Sequence, residues 1–271
     1  MVKVIDVDVL FDNFISDFVY GNIGKVKPEE IENKIPTLYV EFGDTALKEL
    51  GGKTPNEYYK SFPVDELLEC LKNHLKEGVA VSDFLCEAIT DKKENEVALF
   101  NALKEENDEE FILYVLNMLG ELKSTLPAKR YLEFILWDYS DTIRELATEL
   151  LKDMAEMVKE DVLAQFADAD EGKKACLTEI LSNCKKDDRV FEILVNEFIK
   201  NQKNVPVYAG YLAKYGDERA LPYLESSIER ENISYADFEE LRFAIESLGG
   251  EYKKERDFSK DKTFKRIKSQ K

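Results

Sequence analysis

From about residue 110 to 248 the apolar positions form two interleaved sets with a period near 31. In the first set Leu119, Leu150, Leu181 and Leu212 are 31 residues apart. Four positions before them stand Val115, Leu146, Leu177 and Tyr208, and seven before stand Ile112, Ile143, Lys174 and Val205. Those offsets share one face of a helix, so each group predicts a helix with an apolar stripe, interrupted only at Lys174. The second set is Leu132, Leu163, Leu194 and Leu224, spaced 31, 31 and 30. Tyr131, Val162, Ile193 and Tyr223 precede it, and Leu136, Ala167, Phe198 and Ile228 follow four residues later. Each unit therefore reads as a helix, a short turn and a second helix.

Polar punctuation agrees with this phasing. Asp108, Ser140 or Asp141, Asp170, Asn204 and Asp217 stand where helices should begin and can accept a hydrogen bond from a first-turn amide. Gly216 and the pair Gly249-Gly250 stand where helices should end. One such hairpin cannot bury its apolar faces alone, whereas a stack can. The pattern predicts an all-α fold: an alpha-alpha superhelix, or helical-hairpin solenoid, over 63–250.

The segments DDRVFEILVNEFI (187–199) and GDERALPYLESSI (216–228) resemble HEAT-like repeats, each carrying an Asp-x-Arg turn into its second helix. The resemblance covers about 110–248 and extends over 64–107, where VDELLECLKNHLKEG and VAVSDFLCEAIT read as another helix pair. It departs from the pattern at MAEMVKE (154–160), which has no such turn, so that unit rests on apolar spacing. The resemblance implies a superhelix that in most members is a protein-binding scaffold and in a few an enzyme; architecture alone fixes no activity.

Residues 1–62 do not follow the period and read as an N-terminal cap. A helix is expected over about 6–20, ended by Gly21 and Gly24, then a short one after Pro28, then the less regular IPTLYVEFGDT. Residues 251–271 hold nine Lys/Arg against four Asp/Glu and few large apolar groups, the composition of a basic mobile tail. With a formal charge of −18 over 271 residues, that tail leaves −23 on residues 1–250. Such a surface repels nucleic-acid phosphates and anionic lipid and favours a protein partner with a basic face. The N-terminus is interrupted by Asp6, Asp8 and Asp12, and is expected to be neither a signal peptide nor a membrane span. Cys70, Cys86, Cys176 and Cys184 have no paired or metal-ligand spacing, and a cytoplasmic location is expected.

Few residues suggest chemistry. GGKT at 51–54 ends like a phosphate loop, but the first glycine of that motif would fall on Leu47, DTALKEL before it reads as a helix, and Pro55 removes an amide. The alternative has Gly51 and Gly52 closing one helix, Thr54 capping the next, Pro55 in its first position and Glu57 completing a capping box. Asp168, Asp170 and Glu179 occupy three positions of a calcium loop, but Lys173 stands where that loop needs glycine. They read instead as an acidic helix start. His74, the one histidine, lies near a helix C-terminus, where a charged imidazole would favour the dipole. EENDEE (105–110) reads as a solvated turn, and no GxSxG element is present.

Tyr208 should be core, since it takes the repeat position of Val115, Leu146 and Leu177. Tyr211 and Trp137 are the candidate partner-binding residues; no catalytic, cofactor-binding or metal-binding residue is identified. The expectation is a non-enzymatic scaffold for another protein. The alternatives are an enzyme with an acidic site on the concave face and a nucleic-acid-binding superhelix, the latter opposed by charge.

Overall fold

Every regular element among the described residues is a helix, and the single β-bridge is the isolated pair Leu47–Lys53. The computed structural model describes residues 2–22, 31–104 and 106–269. The turn expected at Gly24, the helix start after Pro28 and Glu105 of the acidic turn lie outside them. Two units are distinguished, 1–127 and 128–271.

The first unit contains α1 (Val7–Gly21), α2 (Ile35–Gly43), α3 (Pro55–Tyr58), α4 (Val64–Glu77), α5 (Asp83–Thr90), α6 (Glu96–Ala102) and α7 (Glu109–Glu121). Asp6 caps α1 by accepting from the Val9 amide, and Asp108 caps α7 by accepting from Phe111. IPTLYVEFG, expected to be irregular, is the helix α2, with Pro36 in its first turn where a missing amide costs nothing. Its Phe42 is fully buried between Phe11 and Phe14 of α1 and Phe84 of α5, with ring centroids 5.2, 5.6 and 6.1 Å away. This aromatic cluster joins α1 to the hairpin α4–α5.

Two sequence expectations change here. DTALKEL is not a helix: α2 ends at Gly43, and residues 47–53 form a turn in which the Leu47 amide donates to Lys53 and the Gly52 amide to Leu47. Gly51 and Gly52 have φ of 69° and 84°, a left-handed pair that closes this turn instead of ending a helix. His74 does not sit as an exposed charge at a helix end. It is completely buried, with Nδ1 2.8 Å from the Cys70 carbonyl and Nε2 3.3 Å from the Ile5 amide nitrogen. Nδ1–H donating and Nε2 accepting satisfies both ring atoms. The imidazole thus pins the segment before α1 onto α4.

The second unit contains α8 (Ala128–Leu136), α9 (Asp141–Lys152), α10 (Ala155–Phe166), α11 (Glu171–Leu181), α12 (Asp188–Lys200), α13 (Val205–Tyr215), α14 (Leu221–Ile228), α15 (Tyr235–Ser247) and α16 (Lys262–Lys268). Consecutive helices pack together, and contacts between alternate ones (α9 with α11, α13 with α15, α8 with α10) sort them into two rows. One row holds α9, α11, α13 and α15; the other holds α8, α10, α12 and α14. Ser140 and Asp170 cap α9 and α11 by accepting from Ile143 and Lys173, whereas Asn204 makes no side-chain cap bond. Gly216 ends α13 at φ 74°.

The core between the rows follows the predicted stripes except in α9 and α10 and at Ala167 and Tyr223, which are exposed. Leu177, Leu181, Tyr208, Leu212, Leu194 and Leu224 are buried. In α9 the buried line runs Ile143, Ala147, Leu151, while Leu146 and Leu150 are only half-buried beside it. Steps of four in place of three turn the stripe by part of a residue. Leu163 is likewise half-buried, and Val158, Val162 and Phe166 carry the α10 core.

The segment read as a mobile tail is seated on this unit. Phe258 and Phe264 contact Tyr235, with centroids 5.3 and 5.0 Å away, and Phe258 lies 5.0 Å from Phe238. Asp261 accepts from Thr263 and Phe264 at the start of α16 and from Tyr235 at the start of α15. Gly250 allows the chain to leave α15, because a Cβ there would come within 2.8 Å of both Ile245 and Leu221. The Tyr252 ring, 5.8 Å from Phe238, is the fifth in this cluster, and composition alone hides packing that aromatic rings supply.

Candidate protein-binding surface

The row α10, α12, α14 exposes a regular arrangement of charge. Asp187 and Asp217 cap α12 and the short turn before α14, each accepting from the amide two residues on, Arg189 and Arg219. The same carboxylates also hold those arginine side chains, with Nη2 2.7 Å from Oδ2 in both cases. Each guanidinium then reaches back about one repeat. Arg189 makes a two-pronged contact with Glu160 at 2.9 and 2.7 Å, and Arg219 donates to Asp188 at 2.8 Å. A planar fork suits this double duty, which a lysine could not perform.

The neighbourhood fixes the protonation of these groups. Hydrogen bonding to Arg189 holds the Asp187 carboxyl down at about 2. Arg219 lowers Asp217 in the same way, and Arg189 lowers Glu160. Tyr215 completes the joint: its hydroxyl accepts from the Asp187 amide at 2.6 Å and donates to the Asp187 carbonyl at 3.0 Å.

Each arginine is matched by two carboxylates, so every rung carries a net negative charge. Lys159 is taken by Glu156 and Asp187, and Lys129 by Asp161. Between α10 and α12 lies an open groove of about 500 Å³. Glu160, Leu163 and Ala164 form one wall; Arg189, Glu192, Ile193 and Asn196 form the other. Both sets have the three- and four-residue spacing of a helix face. A second open groove, about 620 Å³, has Pro222, Glu225, Ser226 and Glu229 on one side and residues 251–254 on the other. Glu192 and Glu225 are exposed and make no ion pair among the described residues.

The two residues singled out from sequence lie in different rows. Tyr211, on α13, is half-buried and donates to Glu179 Oε2 at 3.3 Å; Glu179 also binds Lys152, linking α9, α11 and α13. Burial, and then the Glu179 charge, push the Tyr211 phenol upward. Trp137, at the end of α8, is 54% exposed, with the Arg130 guanidinium 5.6 Å from its ring centroid. Glu160, Arg189 and Glu192 were not singled out. The signal for them was the repeated Asp-x-Arg turn, which marks the rungs but not the carboxylates one repeat back.

Asp170 serves α11 as its cap, and Glu179 is occupied by Lys152 and Tyr211, as an acidic helix start requires. Among the described residues no helix is long and apolar enough to cross a membrane. No family model matches the chain, and no curated protein matches its sequence.

Proposed function

We propose that this chain is a non-enzymatic, HEAT-like repeat scaffold that binds another protein through the acidic row α10, α12, α14. The observation that carries this reading is the pairing of two carboxylates with Arg189 and with Arg219 along that row, beside a groove whose lining includes Leu163, Ala164 and Ile193. A basic partner face would meet free charge at Glu192 and apolar surface beneath it, and long-range attraction would speed its encounter. The four cysteines are unpaired, which suits a reducing compartment such as the cytoplasm.

The test uses Glu192→Lys, which reverses an exposed charge with no ion pair to break. Affinity capture from native lysate should recover a specific protein with the wild type, progressively less as salt rises, and little with the variant. Equal recovery by both, or no specific protein at low salt, would refute the proposal.

A further inference from the structure

The chain itself supplies a basic occupant for part of this row. Residues 251–257 pass the end of α14 without regular structure, and among the described residues no backbone-to-backbone hydrogen bond involves them. Side chains alone hold them there. Glu229 Oε1 accepts from Lys254 Nζ at 2.5 Å and from the Tyr252 hydroxyl at 3.0 Å, while Arg256 lies 3.7 Å from Oε2 and donates to the Arg230 carbonyl. Beyond this contact the segment is anchored separately, by Phe258 and Phe264 on Tyr235 and by Asp261 on the Tyr235 amide. The ionic contact and the aromatic anchor are thus consecutive, with the Tyr252 ring, 5.8 Å from Phe238, between them, and the Lys254 and Arg256 contacts with Glu229 can open while Phe258 and Phe264 stay seated.

We infer that residues 251–256 are an internal competitor: they occupy the α14 end of the acidic row, and an extended partner segment bearing Lys and Arg binds α14 by displacing them from Glu229. This rests on the acidic row being the binding surface. Two observations commit the site to that occupant. The charge is complementary, since a segment rich in Lys and Arg already lies against Glu229, and the α14 groove continues the row whose α10–α12 groove stands open. The contact is also weak enough to exchange. Lys254 and Glu229 are 71% and 43% exposed, so water and salt screen the pair.

The experiment titrates a fluorescent peptide of this chain's own residues 251–264, EYKKERDFSKDKTF, into the full-length protein at low salt, read by anisotropy. Lys254→Glu and Arg256→Ala each loosen the internal segment without touching the anchor, and circular dichroism checks that each keeps its helix content. Both should bind the peptide at least about tenfold more tightly than the wild type, by removal of a competitor. Adding Glu229→Gln to either should abolish that gain. Equal peptide affinity in the wild type and both variants, including no binding to any of them, would overturn the inference. Lysate capture with Glu192→Lys, which leaves the C-terminal segment intact, separates the two failures. If capture still depends on Glu192, only the internal competitor is wrong; if it does not, the binding surface is wrong as well.

Discussion

The Arg219 guanidinium lies 4.2 Å from the centroid of the Phe191 ring, one repeat earlier in the chain. The same group holds Asp217 and Asp188, so a single side chain couples a ring contact to two carboxylates. Lysine would keep the charge but lose both the planar stack and the fork. Thermal melts should therefore place the midpoint of Arg219→Lys closer to that of Arg219→Ala than to the wild type. A lysine variant as stable as the parent would show that charge alone matters at this joint.

The depressed carboxyls give the stability a defined acid dependence. Asp187 titrates at about 2 when folded, against an ordinary value of 3.8, and Asp217 is lowered in the same direction. Groups whose folded pKa is depressed add stability above their unfolded pKa and lose it as pH falls through the folded one. The contribution should be complete above about pH 4 and decay towards about pH 2. Urea midpoints measured across that window should fall less steeply for the double variant Asp187→Asn, Asp217→Asn than for the wild type. Parallel slopes would remove these two residues from the acid response.

Replacing His74 tests how the N-terminal segment is held. Alanine would leave a cavity inside α4 and deprive the Ile5 amide of its acceptor, at a cost of about 2–4 kcal/mol. Hydrogen exchange offers a local readout, because the Ile5 amide should lose its protection even where the global change is small. Unaltered exchange at Ile5 would contradict the pinning role.

Thr54 and Lys53 separate capping from nucleotide binding. The Thr54 hydroxyl accepts from the Glu57 amide and the Glu57 carboxylate accepts from the Thr54 amide, a complete capping box. Thr54→Ala should cost about 1 kcal/mol in denaturant titration. Lys53 points elsewhere, with Nζ 2.8 Å from Ser61 Oγ and 6.0 Å from the Phe62 ring centroid. Calorimetric titration with ATP or GTP should give no heat that Lys53→Ala removes.

Much of the fold was legible because apolar spacing reports which side faces a neighbour. The helix pairs, the Asp108, Ser140 and Asp170 caps, the buried Tyr208 and the Thr54 box follow from local rules that act within a few residues. What spacing could not give were contacts set by distant chain. His74 looks like a helix-end charge until Ile5 is brought against it, 69 residues away in sequence. DTALKEL has helical propensity, but the left-handed pair Gly51-Gly52 folds it back on itself. The candidate surface was half visible: Asp187, Arg189, Asp217 and Arg219 form a repeated sequence motif, whereas Glu160 joins them only through stacking. Residues 251–264 look solvated by charge count, and only the pairing of Phe258 and Phe264 with α15 gives them a place.

The reach of Arg189 to Glu160 and of Arg219 to Asp188 acts as a ruler laid along the second unit. Each arginine measures roughly one hairpin, 29 residues in one case and 31 in the other. An insertion in the turn after α12 would lengthen the chain between the ends of that measure without moving the helices that set it, so surface turns are free to vary. Excision of one whole hairpin would instead bring Arg219 opposite Glu160, a carboxylate of equivalent role. Gain or loss of helices in this molecule is therefore expected in complete hairpins, because only whole units return Arg189 and Arg219 to an acid.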